Sequence, residues 1–389
     1  MAHIKTLARA NGVAAYEVRW REGNRHRQRT FKVKREAERF AVKVENELEE
    51  GNSTAPLVKN SKTFREVAEQ CLAADRPRLK QKTLEGYEMT YRVHAYPAFG
   101  SRRISTITSQ EIEKWVADLR AKPTPGGKAR SEGSVRGSFL RVQKIFTYAV
   151  QHRLISFSPM TALKKPSLPQ NNPNFLTLGQ VTALTERLDA FEPYGLIVRF
   201  AVWTGLRSGE LGALRIRDID LLHKEVRVER TMSWVKEGWI YTTPKSARSR
   251  RAVPLLSDSL IDELTAYLRQ HPNRSDADAG LWPGKVKGHP LATYERAFDP
   301  KGLYRYSFKP AAKALGMPTL KFHELRHTFA SLMVSYGVSM FELSRLMGHG
   351  SITVTDGIYA HMYKKDYSEL RRRIADAQES TGAASGLWT

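Results

Sequence analysis

The sequence predicts a multidomain, mainly α-helical chain with small β elements: a small N-terminal β-sheet backed by one helix, a helical bundle, and a larger mixed α/β domain. Three observations carry this reading. At 389 residues the chain exceeds a usual single domain. Two polar, proline-bearing stretches without periodicity, Gly51 to Lys62 and Lys164 to Asn174, divide it into three. Apolar residues alternate with period two before the first stretch, recur at helical spacing between the two, and show both patterns after the second. The expected domains are residues 1–55, 62–163 and 175–376, followed by a flexible tail over 377–389.

In the first domain Tyr16, Val18 and Trp20 interleave with Glu17, Arg19 and Arg21, and the chain turns at Glu22-Gly23-Asn24. This predicts a β-hairpin whose return strand includes Gln28 to Val33. Arg35 to Leu48 then places Ala37, Phe40, Ala41 and Val44 on one face of an amphipathic helix. Met1 to Arg35 holds ten Lys and Arg against two Glu. A charged hairpin is often merely solvated; aromatics and arginines on one short sheet favour a nucleic acid, with Arg19, Arg21, Arg27, Arg29 and Lys32 as candidate contacts.

Thr63 and Glu66 form a capping-box pattern ahead of a helix carrying Phe64, Val67, Ala68, Cys71 and Leu72. Thr83 opens a second helix with Leu84, Tyr87 and Tyr91, Ser109 a third with Ile112, Trp115, Val116 and Leu119, and Ser134 a fourth with Val135, Phe139, Val142, Phe146 and Val150. Lys122 to Gly133 reads as an exposed basic loop. In the third domain Thr177 to Gln180 is another capping box, Tyr194 to Trp203 an apolar helix, Glu225 to Leu256 two or three strands, and helices return from His323.

Sixty-three Lys and Arg against forty Asp and Glu leave a net charge of +23, which favours a polyanionic partner. No apolar run is long enough to span a bilayer and no signal-peptide core follows Met1, so a soluble protein is expected. A single cysteine excludes an internal disulfide, and zinc-ligand spacings are missing, so neither metal nor cofactor is expected.

Three short motifs can carry chemistry. Thr204-Gly-Leu-Arg-Ser-Gly-Glu210 puts Arg207 at the mouth of a helix after a tight turn, where guanidinium and backbone donors converge on an anion; the plain alternative is a salt bridge to Glu210. His323-Glu-Leu-Arg326-His327 sets His323 and Arg326 on one helical face, fit to share a phosphate or simply to start a polar helix. Ser339 to Glu342 caps a helix that stops at Gly348, leaving His349 just past its end, and Tyr359 follows ten residues later. Taken singly, such a histidine is usually a cap partner and such a tyrosine core packing.

In this order and at these separations the three blocks resemble the tyrosine recombinases, the group that contains bacteriophage lambda integrase and the Xer proteins. The likeness is strongest over residues 175–365. It implies a catalytic domain of the tyrosine-recombinase type, with Arg207 and Arg326 as the two phosphate-binding arginines, His323 and His349 as their histidine partners, and Tyr359 as the nucleophile. It also implies a hairpin lysine as general acid, assigned to Lys245, with Lys236 as the other candidate because the hairpin register is open. Two guanidiniums and two imidazoles offset the charge of a phosphorane without a metal. His323 would assist deprotonation of the phenol, giving a 3′-phosphotyrosyl intermediate and a free 5′-hydroxyl, chemistry shared with type IB topoisomerases. The resemblance further implies an arm-type DNA-binding domain at 1–55, a core-binding bundle, a homotetramer on double-stranded attachment sites, possible help from a DNA-bending protein and a directionality factor, and a cytoplasmic, nucleoid-associated place in a bacterial cell. Rival readings are a Xer-like resolvase, a type IB topoisomerase and an inactive DNA-binding regulator.

Overall fold

The computed structural model describes residues 2–8, 14–22, 25–49, 62–124, 126–168, 174–244, 249–285, 292–363, 368, 371–372 and 374–378. The chain divides into two compact units, residues 1–170 and 171–389.

In the first unit β1 (His3–Ala8), β2 (Ala14–Glu22) and β3 (Arg25–Phe31) form an antiparallel sheet in that order. The sequence pattern had shown the β2–β3 pair; β1 adds a third strand, in register Ile4↔Val18. Period-two alternation turns Val18 and Trp20 towards α1 (Lys34–Glu49), whose Ala37, Phe40, Ala41 and Val44 complete a small core.

A bundle follows: α2 (Phe64–Asp75), α3 (Gln81–Thr90), α4 (Tyr96–Phe99), α5 (Ser109–Ala121) and α6 (Glu132–Gln151). Phe64, Tyr91, Phe99, Ile112, Phe139 and Phe146 lie in its core, and Cys71 is buried too. The Thr63–Glu66 capping box forms as read. Three helix starts differ. α3 begins at Gln81, before Thr83. Thr108, not Ser109, caps α5: its hydroxyl accepts from Glu111 N while Glu111 accepts from Thr108 N, a reciprocal capping box, and Ser109 is the first helical residue, its hydroxyl donating to Pro159 O, 2.6 Å away. Ser131, not Ser134, caps α6, so the basic loop ends one turn sooner and Glu132 pairs with Arg120 at 2.8 Å.

The second unit runs α7 (Leu178–Asp189), α8 (Tyr194–Thr204), α9 (Ser208–Leu211), β4 (Ile219–Asp220), β5 (Glu225–Val228), β6 (Thr231–Val235), β7 (Gly238–Thr242), β8 (Arg251–Pro254) and α10 (Asp258–Gln270). It continues with β9 (Gly284–Lys285), β10 (Ala292–Thr293), α11 (Pro300–Leu303), α12 (Lys309–Ala314), α13 (Glu324–Ser335), α14 (Met340–Met347) and α15 (Ile352–Tyr359). Apart from Arg199, which pairs with Asp189 and Glu263, α8 is apolar and largely buried, the signature of a central helix, and α7, α10 and α13 pack around it. Where two or three strands were expected between Glu225 and Leu256, the described residues of that range form four, in two sheets. β5 and β8 pair with each other beside β4, while β6 and β7 leave that sheet as a separate hairpin. Past Asp376, where a flexible tail was expected to begin, Ala377 and Gln378 still have helical backbone; residues 379–389 lie outside the described residues.

Candidate active site

α8 is ended by Gly205 in the left-handed conformation, φ 59°. A Cβ there would stand 2.4 Å from the Phe329 ring, so both backbone and space require glycine. The reversal delivers Arg207 to the N-cap of α9. Its Nη1 donates to Glu210 Oε1 at 2.7 Å, its backbone N to Glu210 Oε2 at 3.0 Å, and its Nη2 to Gly348 O at 3.1 Å. The guanidinium is 37% exposed, so the salt bridge and an open donor face coexist.

Glu210 is buried and meets a second cation: Arg251 Nη2 lies 3.1 Å from Oε2. Arg251, only 6% exposed, also donates through Nε to Leu346 O at 2.6 Å and through Nη1 to Ser249 O at 3.1 Å. Burial pushes the Glu210 carboxyl up, but Arg251 and then Arg207 outweigh it and hold the group below its usual range.

Arg326 on α13 is 3% exposed. Its Nη1 donates to Gly205 O and its Nη2 to Met347 O, both at 2.6 Å. One guanidinium therefore ties the turn before Arg207 to the end of α14. Burial, then the charge of Arg207, pulls Arg326 down to about 9, which leaves it charged at neutral pH. α14 carries the expected Ser339–Glu342 capping box and ends at Gly348, φ 63°, where a Cβ would lie 2.8 Å from Arg251 Nη1. His349 follows, half-buried, with Nδ1 2.7 Å from Thr355 Oγ1. Burial and the nearby Arg326, Arg207 and Arg251 hold it down at about 4. His323, at the N-cap of α13, is likewise lowered by partial burial, then Arg326 and Arg207; because the residue is exposed, the two guanidiniums weigh more.

Tyr359, the last residue of α15, is fully buried, and its Oη is 2.5 Å from His327 Nδ1. Burial pushes the phenol up to about 12, against the pull of Arg326. The sequence reading paired this phenol with His323. The structure pairs it with His327, one helical turn further into α13; the two imidazoles meet edge to face with ring centres 5.2 Å apart. His327 and Arg251 had been given no role, and Glu210 only that of a salt-bridge partner to Arg207, which it is. The i,i+4 spacing of His323 and His327 was the available signal for the first; no local pattern marks a pair such as Glu210 and Arg251.

Lys245 lies outside the described residues; Lys236 sits exposed in the turn between β6 and β7. The N-terminal candidates divide between two faces. Arg19 and Arg21 lie on the side of β2 away from Val18 and Trp20, and Arg19 Nε pairs with Glu17 Oε1 at 2.5 Å. Arg27 and Arg29 stand opposite Trp20 and Val18, and Arg29 stacks 4.7 Å from the Phe40 ring centre. Lys32 is exposed beyond β3.

The depressed imidazoles give a stability prediction. His327 and His349 sit at about 4 when folded, whereas an unperturbed imidazole sits at about 6.5. Between those values the unfolded chain binds more protons, so stability is complete above about pH 6.5 and falls as the pH drops towards 4. Thermal melting of the DNA-free protein from pH 7.5 to 4.5 is expected to show that decline, shallower in His349→Gln. An identical slope in the variant would show that His349 is not held neutral.

Among the described residues no helix is long and apolar enough to cross a membrane. Residues 174–366 match the phage integrase family, and residues 63–120 match the phage integrase N-terminal SAM-like domain. The prophage phiRv2 integrase of Mycobacterium tuberculosis is 29% identical over 307 residues, 77% of this chain and 76% of that protein. A XerC-like tyrosine recombinase of Caldanaerobacter subterraneus subsp. tengcongensis is 30% identical over 321 residues, 76% of this chain and 78% of that protein. Among solved structures the fold is similar to the Tn1549 transposon integrase in complex with circular intermediate DNA, with a TM-score of 0.63, 17% identity, and coverage of 82% of this chain and all of that one. It is also similar to a lambda integrase tetramer bound to a Holliday junction, with a TM-score of 0.55, 20% identity, and coverage of 90% and 96%. The chain belongs to the phage integrase family, the tyrosine recombinases, enzymes that cleave and rejoin DNA strands.

Proposed function

We propose that this recombinase is an integrase that joins a phage or mobile element to a host chromosome and excises it by the reverse reaction. The observation that carries the site assignment is Arg326: a buried guanidinium bonded to the backbone of both Gly205 and Met347, so that the turns presenting Arg207 and His349 are fixed to the same group. A scissile phosphate received there meets two forked cations and two neutral imidazoles, and the phosphorane charge is offset as it develops. Tyr359 attacks the phosphorus, His323 and His349 donate to the non-bridging oxygens, and Lys245 protonates the leaving 5′ oxygen. The phosphotyrosyl ester keeps the bond energy, so rejoining needs no nucleotide cofactor.

In this reading residues 1–55 bind arm-type sites, with Arg19, Arg21 and Lys32 presented to DNA and Arg27 and Arg29 helping to shape the sheet. Residues 62–163 and 175–376 grip the core site. Related proteins have been solved on DNA, lambda integrase as a tetramer on a Holliday junction, and a tetramer is the assembly proposed here. A DNA-bending protein and a directionality factor would set the direction of recombination, and the net charge of +23 favours residence on the nucleoid.

The test is a nicked suicide substrate carrying a candidate attachment site. Wild type is expected to form an SDS-resistant, protease-sensitive adduct with a free 5′-hydroxyl, and Tyr359→Phe none. An adduct in the Phe variant removes Tyr359 from its role; no adduct in either protein on a site both bind leaves a DNA-binding regulator.

A further inference from the structure

We propose that His327 is a catalytic residue of strand cleavage, its Nδ1 receiving the Tyr359 phenol proton as the Oη–P bond forms. The proposal rests on Tyr359 being the nucleophile. Among the described residues, the group within hydrogen-bond distance of Oη is His327 Nδ1, 2.5 Å away, where it can accept from the buried phenol. The other bases nearby are committed elsewhere. His349 Nδ1 faces Thr355 Oγ1, Glu210 is held between Arg207 and Arg251, and Glu324 accepts from Lys321 N at 2.7 Å. His323 is a turn away at the helix N-cap, touching His327 rather than the phenol.

Magnitudes decide when the proton moves. With His327 at about 4 and Tyr359 at about 12, the proton stays on the phenol in the DNA-free protein, so no phenolate is stored. His327 is held low by burial, then His323 and Arg326. A phosphate bound against Arg326 brings negative charge that cancels much of this cationic field. Bonding of Oη to phosphorus makes its remaining proton strongly acidic. Both changes turn the transfer downhill during attack, which is general base catalysis rather than prior ionisation. The step balances: the Oη–P bond forms, the P–O5′ bond breaks, the phenol proton moves to His327 Nδ1, and O5′ takes a separate proton from the general acid. In rejoining, His327 returns its proton to the departing phenol oxygen.

The experiment measures single-turnover adduct formation on the nicked core site with Tyr or 2,3-difluorotyrosine, a more acidic phenol, at position 359. His327→Gln is expected to slow the Tyr enzyme by about 10² to 10³, within the usual range for general acid–base catalysis. The deficit is expected to shrink about tenfold or more with difluorotyrosine, a change that a merely structural loss would not produce. A rate within threefold of wild type, or the same deficit with both phenols, overturns the proposal. Core-site binding reports folding, and His327→Asn replaces the Gln variant if binding is lost. The protein with His327 intact gives an independent arm. Adduct formation that rises in proportion to the phenolate fraction on fluorination means ionisation before attack and overturns the proposal; a weak dependence supports it. Adduct formation by Tyr359→Phe would instead sink the nucleophile assignment itself.

Discussion

Replacing Arg326 with alanine is expected to slow covalent adduct formation by about 10³ or more, while core-site binding weakens far less. DNA binding draws on many phosphate contacts over a strongly basic chain, so one buried cation adds little to it. The transition state is different, because negative charge grows on the phosphate oxygens that Arg326 would face, and a donor fixed in advance lowers that barrier selectively. The fixing is visible in its two 2.6 Å bonds to Gly205 O and Met347 O, from groups 121 and 21 residues away in sequence. Arg326→Lys keeps the charge but lacks the planar fork that spans both carbonyls, so it is expected to recover at most about a tenth of the lost rate. Adduct kinetics and gel shifts on the same nicked duplex check this. A lysine variant within fivefold of wild type would mean that charge alone suffices and that the two backbone bonds do not position the group.

Elements whose ends are marked by side-chain chemistry were legible in the sequence. α1 was visible because Ala37, Phe40, Ala41 and Val44 repeat at helical spacing against a short sheet, and all four are buried. Where two hydroxyls stand side by side at a helix start, the residue three positions on decides. Thr108 and Ser109 both suit an N-cap, but Glu111 completes a capping box with Thr108, leaving the Ser109 hydroxyl to donate to Pro159 O, 50 residues away. α15 left little trace for another reason. Ile352, Thr353, Val354 and Thr355 are β-branched and poor helix formers, so the helix depends on the Ser351 cap and on burial of Thr355 and Tyr359.

The candidate site divides in the same way. Arg207 and His349 were readable because each follows a glycine whose left-handed turn ends a helix, a feature written in two or three adjacent residues. The partner of the phenol was not, because His327 reaches Tyr359 across 32 residues and only the packed fold decides which of two neighbouring imidazoles turns towards α15.

Arg251 beneath the site was equally hidden, and Glu210→Ala, which removes its counter-charge, is expected to show its weight. Removing this carboxylate leaves Arg251, 6% exposed, as a buried cation without its counter-charge, a change that typically costs about 3–5 kcal/mol. For a unit of this size that corresponds to a melting temperature lower by roughly 6–20 °C. Arg207 suffers as well, since Glu210 accepts from both its guanidinium and its backbone N–H, so the surviving folded enzyme should also cleave more slowly. Two comparisons separate the effects. Glu210→Gln retains an acceptor and is expected to fall between wild type and alanine. Adding Arg251→Met to Glu210→Ala removes the stranded charge and should recover part of the lost stability without restoring cleavage, because Arg207 remains unanchored. Equal melting temperatures for the single and double variants would show that water reaches Arg251 and screens it; recovery of cleavage in the double variant would show that Arg207 needs relief from Arg251 rather than support from Glu210.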